Sequence, residues 1–241
     1  MYYAELAQEY RVDLLCVGTE IYGTVGEESE WRNTINIVRK TYKGPITYSD
    51  SVSWNLNAWE EIQWADELDY IGVNLYKKLT TKTDPTIEEL TSAFEKIFDG
   101  ELKPLSERLN KPIILTEFGY RNVDGTNANP DPDYTNEIDD QEVADIYEAL
   151  FCNLVKNPSL IIGLFPWVYS HKSTPTFERE DSGITFEIRE KPAEEVIKAW
   201  YSQVEEEMSF WMQWWFWAIV VGIVVLVGTV YFLKRRKPSH L

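Results

Sequence analysis

The 241-residue chain has two cysteines, two histidines and three methionines, and each scarcity excludes some chemistry. Cys16 and Cys152 sit in apolar runs. Two such residues cannot form a disulfide framework or a cysteine zinc site, so both are expected as buried free thiols. His171 and His240 are too few for a histidine metal centre. No glycine-rich loop follows an apolar run, which argues against a dinucleotide fold or a P-loop. Basic residues are scarce too: 23 Lys and Arg face 40 Asp and Glu, for a net charge of −17. Setting aside the four basic residues at 234–237 leaves 19 against the same 40. Nucleic acid needs a basic footprint, so no nucleic-acid partner is expected. No cofactor and no metal are expected either.

Aromatic residues are plentiful. They make up 14% of the chain, with ten tryptophans, and apolar residues reach 44%. That composition favours a packed core over disorder.

The C-terminal region departs from this composition. Trp214 to Leu233 is a run of twenty residues without a charge. As a helix it would extend about 30 Å, the thickness of a bilayer core. Trp211, Trp214, Trp215 and Trp217 crowd one end, as in an interfacial belt, and Lys234, Arg235, Arg236 and Lys237 follow the other. We therefore expect a barrel-like domain over 1–204, a juxtamembrane segment at 205–213, a transmembrane helix at 214–233 and a basic cytoplasmic tail at 234–241. The positive-inside rule then places residues 1–209 outside the cytoplasm, at the cell membrane. Such a domain needs an export signal, and MYYAELAQEYR is not one, so an upstream segment is expected.

Residues 1–204 alternate strand and helix patterns. Apolar runs at 14–17, 45–49, 70–75, 113–116 and 160–168 read as strands. Helical periodicity marks 2–10, 28–42, a Trp-rich stretch at 56–68, a helix from 85 to about 109, the segment after 140, and 192–201. Strands without polar alternation, separated by helices, indicate a parallel sheet covered by helices. Several strands end in polar or aromatic residues: Glu20, Asp50, Tyr76, Glu117 and Trp167. The C-terminal rim of a (β/α) barrel is built this way, so a TIM-type barrel is the expected fold. Five strands fill roughly 200 residues, whereas a closed barrel needs eight. Three βα units, on the order of 100 residues, are expected from an upstream segment or from another chain, because an open arc leaves unpaired edges.

Two glutamates directly follow apolar strands, Glu20 in VGTE and Glu117 in LTEFGY. Taken singly, each is an ordinary loop residue. As a pair on one rim they suit glycoside hydrolysis, which needs one carboxyl group to protonate the leaving oxygen and another to attack or stabilise the anomeric carbon. Nearby Trp and Tyr rings suit the flat C–H faces of sugars. Asp50 and Trp54 follow the second strand as cleft-lining candidates, and His171 is a rim residue. The Asp- and Asn-rich stretch 124–140 lacks the ordered EF-hand pattern and reads as a rim loop.

VGTE, LDYIGVNLY, ILTEFGYR, QEVADIYEALF, GLFPWVY and KPAEEVIKAWY, in this order and spacing, resemble the C-terminal part of glycoside hydrolase family 113. This is a β-mannanase-like group of the retaining (β/α)8 clan. The resemblance spans nearly all of residues 1–202 and implies that barrel strands 4–8 are present. It implies Glu20 at the end of the fourth barrel strand as general acid/base and Glu117 at the end of the seventh as nucleophile. It also implies Tyr76 as a partner of the nucleophile, and Trp167 as the floor of the subsite for the reacting sugar. Thr19 stands where many members of the wider clan carry Asn. A β-linked glycan substrate follows from the resemblance. The alternative is a non-catalytic surface glycan-binding protein derived from a truncated barrel.

Overall fold

Five apolar, β-branched runs form one parallel sheet: β1 (Leu15–Thr19), β2 (Ile46–Ser51), β3 (Tyr70–Leu75), β4 (Ile113–Phe118) and β5 (Ile161–Pro166). The computed structural model describes residues 1–51, 58–130, 137–170 and 183–203. The strands lie in sequence order, each paired in parallel with the next. Parallel neighbours need a crossover, and helices supply it. Helix α1 (Tyr2–Glu9) precedes β1, and α2 (Glu28–Thr41) joins β1 to β2. The short α3 (Ala58–Glu61) lies between β2 and β3. Helices α4 (Ile87–Ile97) and α5 (Lys103–Leu109) join β3 to β4, and α6 (Asp140–Leu154) joins β4 to β5. This is a parallel α/β sheet of the TIM type.

Residue type explains these local choices. The Thr86 hydroxyl accepts the Glu89 N–H and the Glu89 carboxylate accepts the Thr86 N–H, a capping box that starts α4. Pro104 has no N–H to donate, and a π turn over Phe98–Leu102 leads into α5, which ends at Asn110 in the left-handed region. Val143, Ile146, Tyr147 and Leu150 make the buried stripe of α6. The expected helix at 56–68 is not continuous: α3 ends at Glu61 and a 3-10 turn follows at Ala65–Glu67. Trp59 and Trp64 are both buried, and a spacing of five residues does not keep two side chains on one helical face.

Every residue of β2 is buried, whereas β1 and β5, the sheet edges, are only partly covered. Cys16 was expected inside but is exposed on edge strand β1, and Cys152 is half-buried. On β5, Ile162 and Phe165 are exposed. Among the described residues no helix is long and apolar enough to cross a membrane. The expected span 214–233 and the Trp cluster before it lie outside the described residues. The chain divides into two compact units, Met1–Val196 and Ile197–Leu241. All site residues discussed below belong to the first.

The tip of β4 must pass close to β5. The Trp167 N–H donates to the Phe118 carbonyl at 2.8 Å. A Cβ at Gly119 would lie 1.9 Å from the Trp167 carbonyl oxygen. Gly119→Ala should therefore push the two strand ends apart. The expected result is a loss of about 1–3 kcal/mol in urea unfolding at constant m-value. An unchanged midpoint would contradict this reading of the strand contact.

Candidate active site

The C-terminal strand ends converge on a cleft of about 340 Å³, lined by Glu20, Tyr22, Ser51, Tyr76, Glu117, Trp167 and Phe186 among others. Four of the six residues expected in the site, Glu20, Tyr76, Glu117 and Trp167, are thus brought together. Trp54 and His171 lie outside the described residues.

Glu20 follows β1 directly. Its backbone N–H donates to the Ser49 carbonyl at 3.0 Å, extending the strand pairing, and then its φ turns to +51°. That left-handed conformation is uncommon for a residue with a Cβ and must be held by its surroundings. Aromatic side chains with polar tips do the holding. The Tyr48 hydroxyl accepts the Ile21 N–H at 2.9 Å, the Trp31 indole donates to the Thr24 carbonyl at 2.8 Å, and the Trp64 indole donates to the Val25 carbonyl at 2.9 Å. These rings pack on one another, with Trp31 and Trp64 stacked at 4.5 Å and Tyr48 edge-on to both. The loop after Glu20 is therefore fastened to the aromatic core.

Glu117 sits within β4, next to Phe118. The Phe118 ring packs against Phe94, Tyr120 and Tyr147, and the Tyr147 hydroxyl donates to the Phe118 carbonyl at 3.0 Å. The Tyr76 hydroxyl donates to Glu117 Oε2 at 2.7 Å. Burial raises the Glu117 pKa, and the negative charge of Glu20 adds to that. Hydrogen bonds from Tyr76 and Asn74 act in the opposite direction, favouring the carboxylate. The Tyr76 hydroxyl itself is held firmly protonated by burial and by its bond to Glu117.

Asn74 escaped sequence reasoning, although a polar residue in the apolar run YIGVNL is a signal in itself. It is fully buried on β3, in register with Glu117 of β4. Its Nδ2 donates to Glu20 Oε1 at 2.9 Å and reaches Thr19 Oγ1 at 3.4 Å. Its Oδ1 accepts from the Ser49 and Thr116 hydroxyls at 2.6 and 2.9 Å. Phe186, also unforeseen, stands edge-on to Tyr76 at 6.1 Å with the Arg121 guanidinium over its ring. Tyr22 hydrogen-bonds Glu20, and its hydroxyl pKa is raised by burial and by the charges of Glu20 and Asp50.

Asp50 is placed differently from expectation. Its side chain is fully buried and does not line the cleft; Ser51, one residue further along, does. Successive strand residues face opposite sides, so only one of the two can open onto the cleft. Asp50 Oδ1 accepts the Ser51 N–H at 2.8 Å, while its Oδ2 has no hydrogen-bond partner among the described residues.

Carboxylate oxygens of Asp124 and Asp139, in the expected rim loop, and of Glu142, in the first turn of α6, lie within 4.8 Å of one another. Their own bonds account for two of them. Asp139 caps α6 through the Gln141 and Glu142 N–H groups. Glu142 accepts from the Gly125 and Asn127 N–H groups and from the Asn127 amide.

A paired-glutamate cleft at the strand ends of a parallel α/β sheet is now in view, and the sequence pattern of Glycoside Hydrolase Family 113 matches residues 1–191. The chain belongs to that family. Three solved structures are similar to it. A GH113 β-mannanase from Alicyclobacillus acidocaldarius, AaManA in complex with ManMIm, shares 26% identity at a TM-score of 0.63. A GH113 β-1,4-mannanase shares 25% at 0.62, and a complex structure of a GH113 β-1,4-mannanase shares 24% at 0.62. Each match covers 83% of this chain and 59% of the other, so the family member described above spans under two thirds of these relatives. No curated protein matches the chain.

Asp50 offers a pH test. Burial lifts its pKa from 3.8 to about 6; the Ser51 N–H opposes this, and the charges of Glu20 and Glu61 add to it. Between those two values the folded chain binds the extra proton, so this group's contribution to stability falls as pH rises through the window and stays low above it. Asp50→Asn keeps the bond to Ser51 and removes the charge. Denaturation at pH 8 should show a gain of about 1–3 kcal/mol, shrinking toward zero near pH 4. Equal effects at both pH values would overturn this assignment.

Proposed function

We propose that the protein is a retaining glycoside hydrolase acting on β-mannan or a related β-linked glycan. The observation that carries this reading is the pair Glu20 and Glu117, on separate strand ends in one cleft, each held by a neutral hydrogen-bond donor. Glu117 is the nucleophile. With Oε2 held by Tyr76, Oε1 attacks the anomeric carbon as the glycosidic C–O bond breaks, and Glu20 passes its proton to the leaving oxygen. Glu20 then takes a proton from water, which attacks the same carbon and releases Glu117. Trp167, Phe186 and Tyr22 give the cleft aromatic surfaces suited to sugar C–H faces. The likeness to β-1,4-mannanases favours mannan among β-linked glycans.

The five strands correspond on this reading to barrel strands 4–8. Their partly covered edges, with Ile162 and Phe165 exposed, support completion of the barrel by an upstream segment or another chain. The uncharged run 214–233 and the basic residues after it support a single membrane anchor with the barrel on the extracytoplasmic side.

The test is hydrolysis of β-1,4-mannan oligosaccharides by the wild-type protein and by Glu117→Gln. Wild type should release sugar with the anomeric configuration retained, and the variant should lose at least ~10³-fold in kcat/KM. Equal rates would remove Glu117 from the mechanism. Binding without turnover, unchanged in the variant, would favour a non-catalytic glycan-binding protein instead.

A further inference from the structure

We infer that Asn74 is a positioning residue that selects which oxygen of Glu20 carries the acid proton. The inference rests on the hydrolase reading of the Glu20/Glu117 cleft given above. Its basis is the bonding of the buried amide. Oδ1 of Asn74, Oγ of Ser49 and Oγ1 of Thr116 form a triangle with edges of 2.6, 2.6 and 2.9 Å. The two hydroxyls bring two hydrogens to three edges, so at least one hydrogen points at Oδ1. That defines the orientation of the amide. Turned over, it would set its N–H hydrogens against that hydroxyl hydrogen, and Oδ1 against Oε1 of the Glu20 carboxylate, acceptor against acceptor, at the 2.9 Å now spanned by the N–H.

An amide nitrogen donates but does not accept. Glu20 Oε1 therefore receives a hydrogen from Asn74 and has nowhere to direct one of its own on that side. When Glu20 is protonated the proton belongs on Oε2, and the same rule returns it there after water is deprotonated. The second Nδ2 hydrogen lies between Thr19 Oγ1, at 3.4 Å, and the Glu117 carboxylate. Ser49 and Thr116 orient Asn74, Asn74 orients Glu20, and none of the three needs to touch substrate. Asn74 is suited to this because it lies fully buried on the strand between those that carry Ser49 and Glu117.

A residue that only supports the fold would slow every substrate alike. A residue that places the acid proton affects substrates in proportion to their need for acid. The comparison is Asn74→Ala against wild type, on a mannan oligosaccharide with a poor alkoxide leaving group and on an aryl mannoside with a good one. We expect kcat/KM to fall at least ~30-fold on the first and at most ~3-fold on the second. Since a buried asparagine can be needed for folding, Ser49→Ala combined with Thr116→Val provides a second variant. It keeps Asn74 but frees its amide to turn, and should show the same substrate split in weaker form. Equal losses on both substrates, in an active protein, would overturn the role of Asn74 and leave the hydrolase reading intact. Absence of hydrolysis by wild type on both substrates would overturn the hydrolase reading, and this inference with it.

Discussion

Two carboxylates in one cleft repel each other, and burial makes the charge on Glu117 harder still to keep. The site manages this repulsion with neutral donors rather than cations. Asn74 and Tyr76 stand between and beside Glu20 and Glu117, donating at 2.9 and 2.7 Å. Neutral donors favour a carboxylate without clamping it as a buried arginine would. The layers beneath serve that arrangement. The Ser49 and Thr116 hydroxyls orient the asparagine, and the fully buried strand β2 carries Ser49.

The scaffold fastens the two glutamates in different ways. Glu117 is part of a strand, and the rings around Phe118 lock that strand in place. Glu20 lies just past its strand in a left-handed turn, on an edge strand that is only partly buried. Its anchorage comes from the polar tips of Tyr48, Trp31 and Trp64, whose rings form a separate aromatic cluster. Trp31 and Trp64 thus have a local purpose: they pin the loop after Glu20.

Much of this was legible in the residues. The five strands, the α/β alternation, and the convergence of Glu20, Tyr76, Glu117 and Trp167 follow from apolar runs that end in polar or aromatic residues. Three things were not legible. Pattern alone does not say which side of a strand a residue faces, so Asp50 was expected in a cleft that Ser51 lines instead. A stretch rich in tryptophan reads as helical even when burying Trp59 and Trp64 breaks the helix. Asn74 and Phe186 take their roles from strand neighbours far away in sequence, and no local motif encodes such contacts.

The central claim is that Glu117 forms a covalent bond to the sugar. Incubation with 2-deoxy-2-fluoro-β-mannosyl fluoride, followed by proteolysis and mass spectrometry, tests it most directly. The electron-withdrawing 2-fluorine slows both formation and breakdown of the intermediate, and the reactive leaving group restores formation alone, so the intermediate accumulates. The account predicts one fluoroglycosyl unit per chain, on the peptide that contains Glu117. A protein that consumes the reagent without an adduct on Glu117, or carries the sugar on another residue, would contradict it.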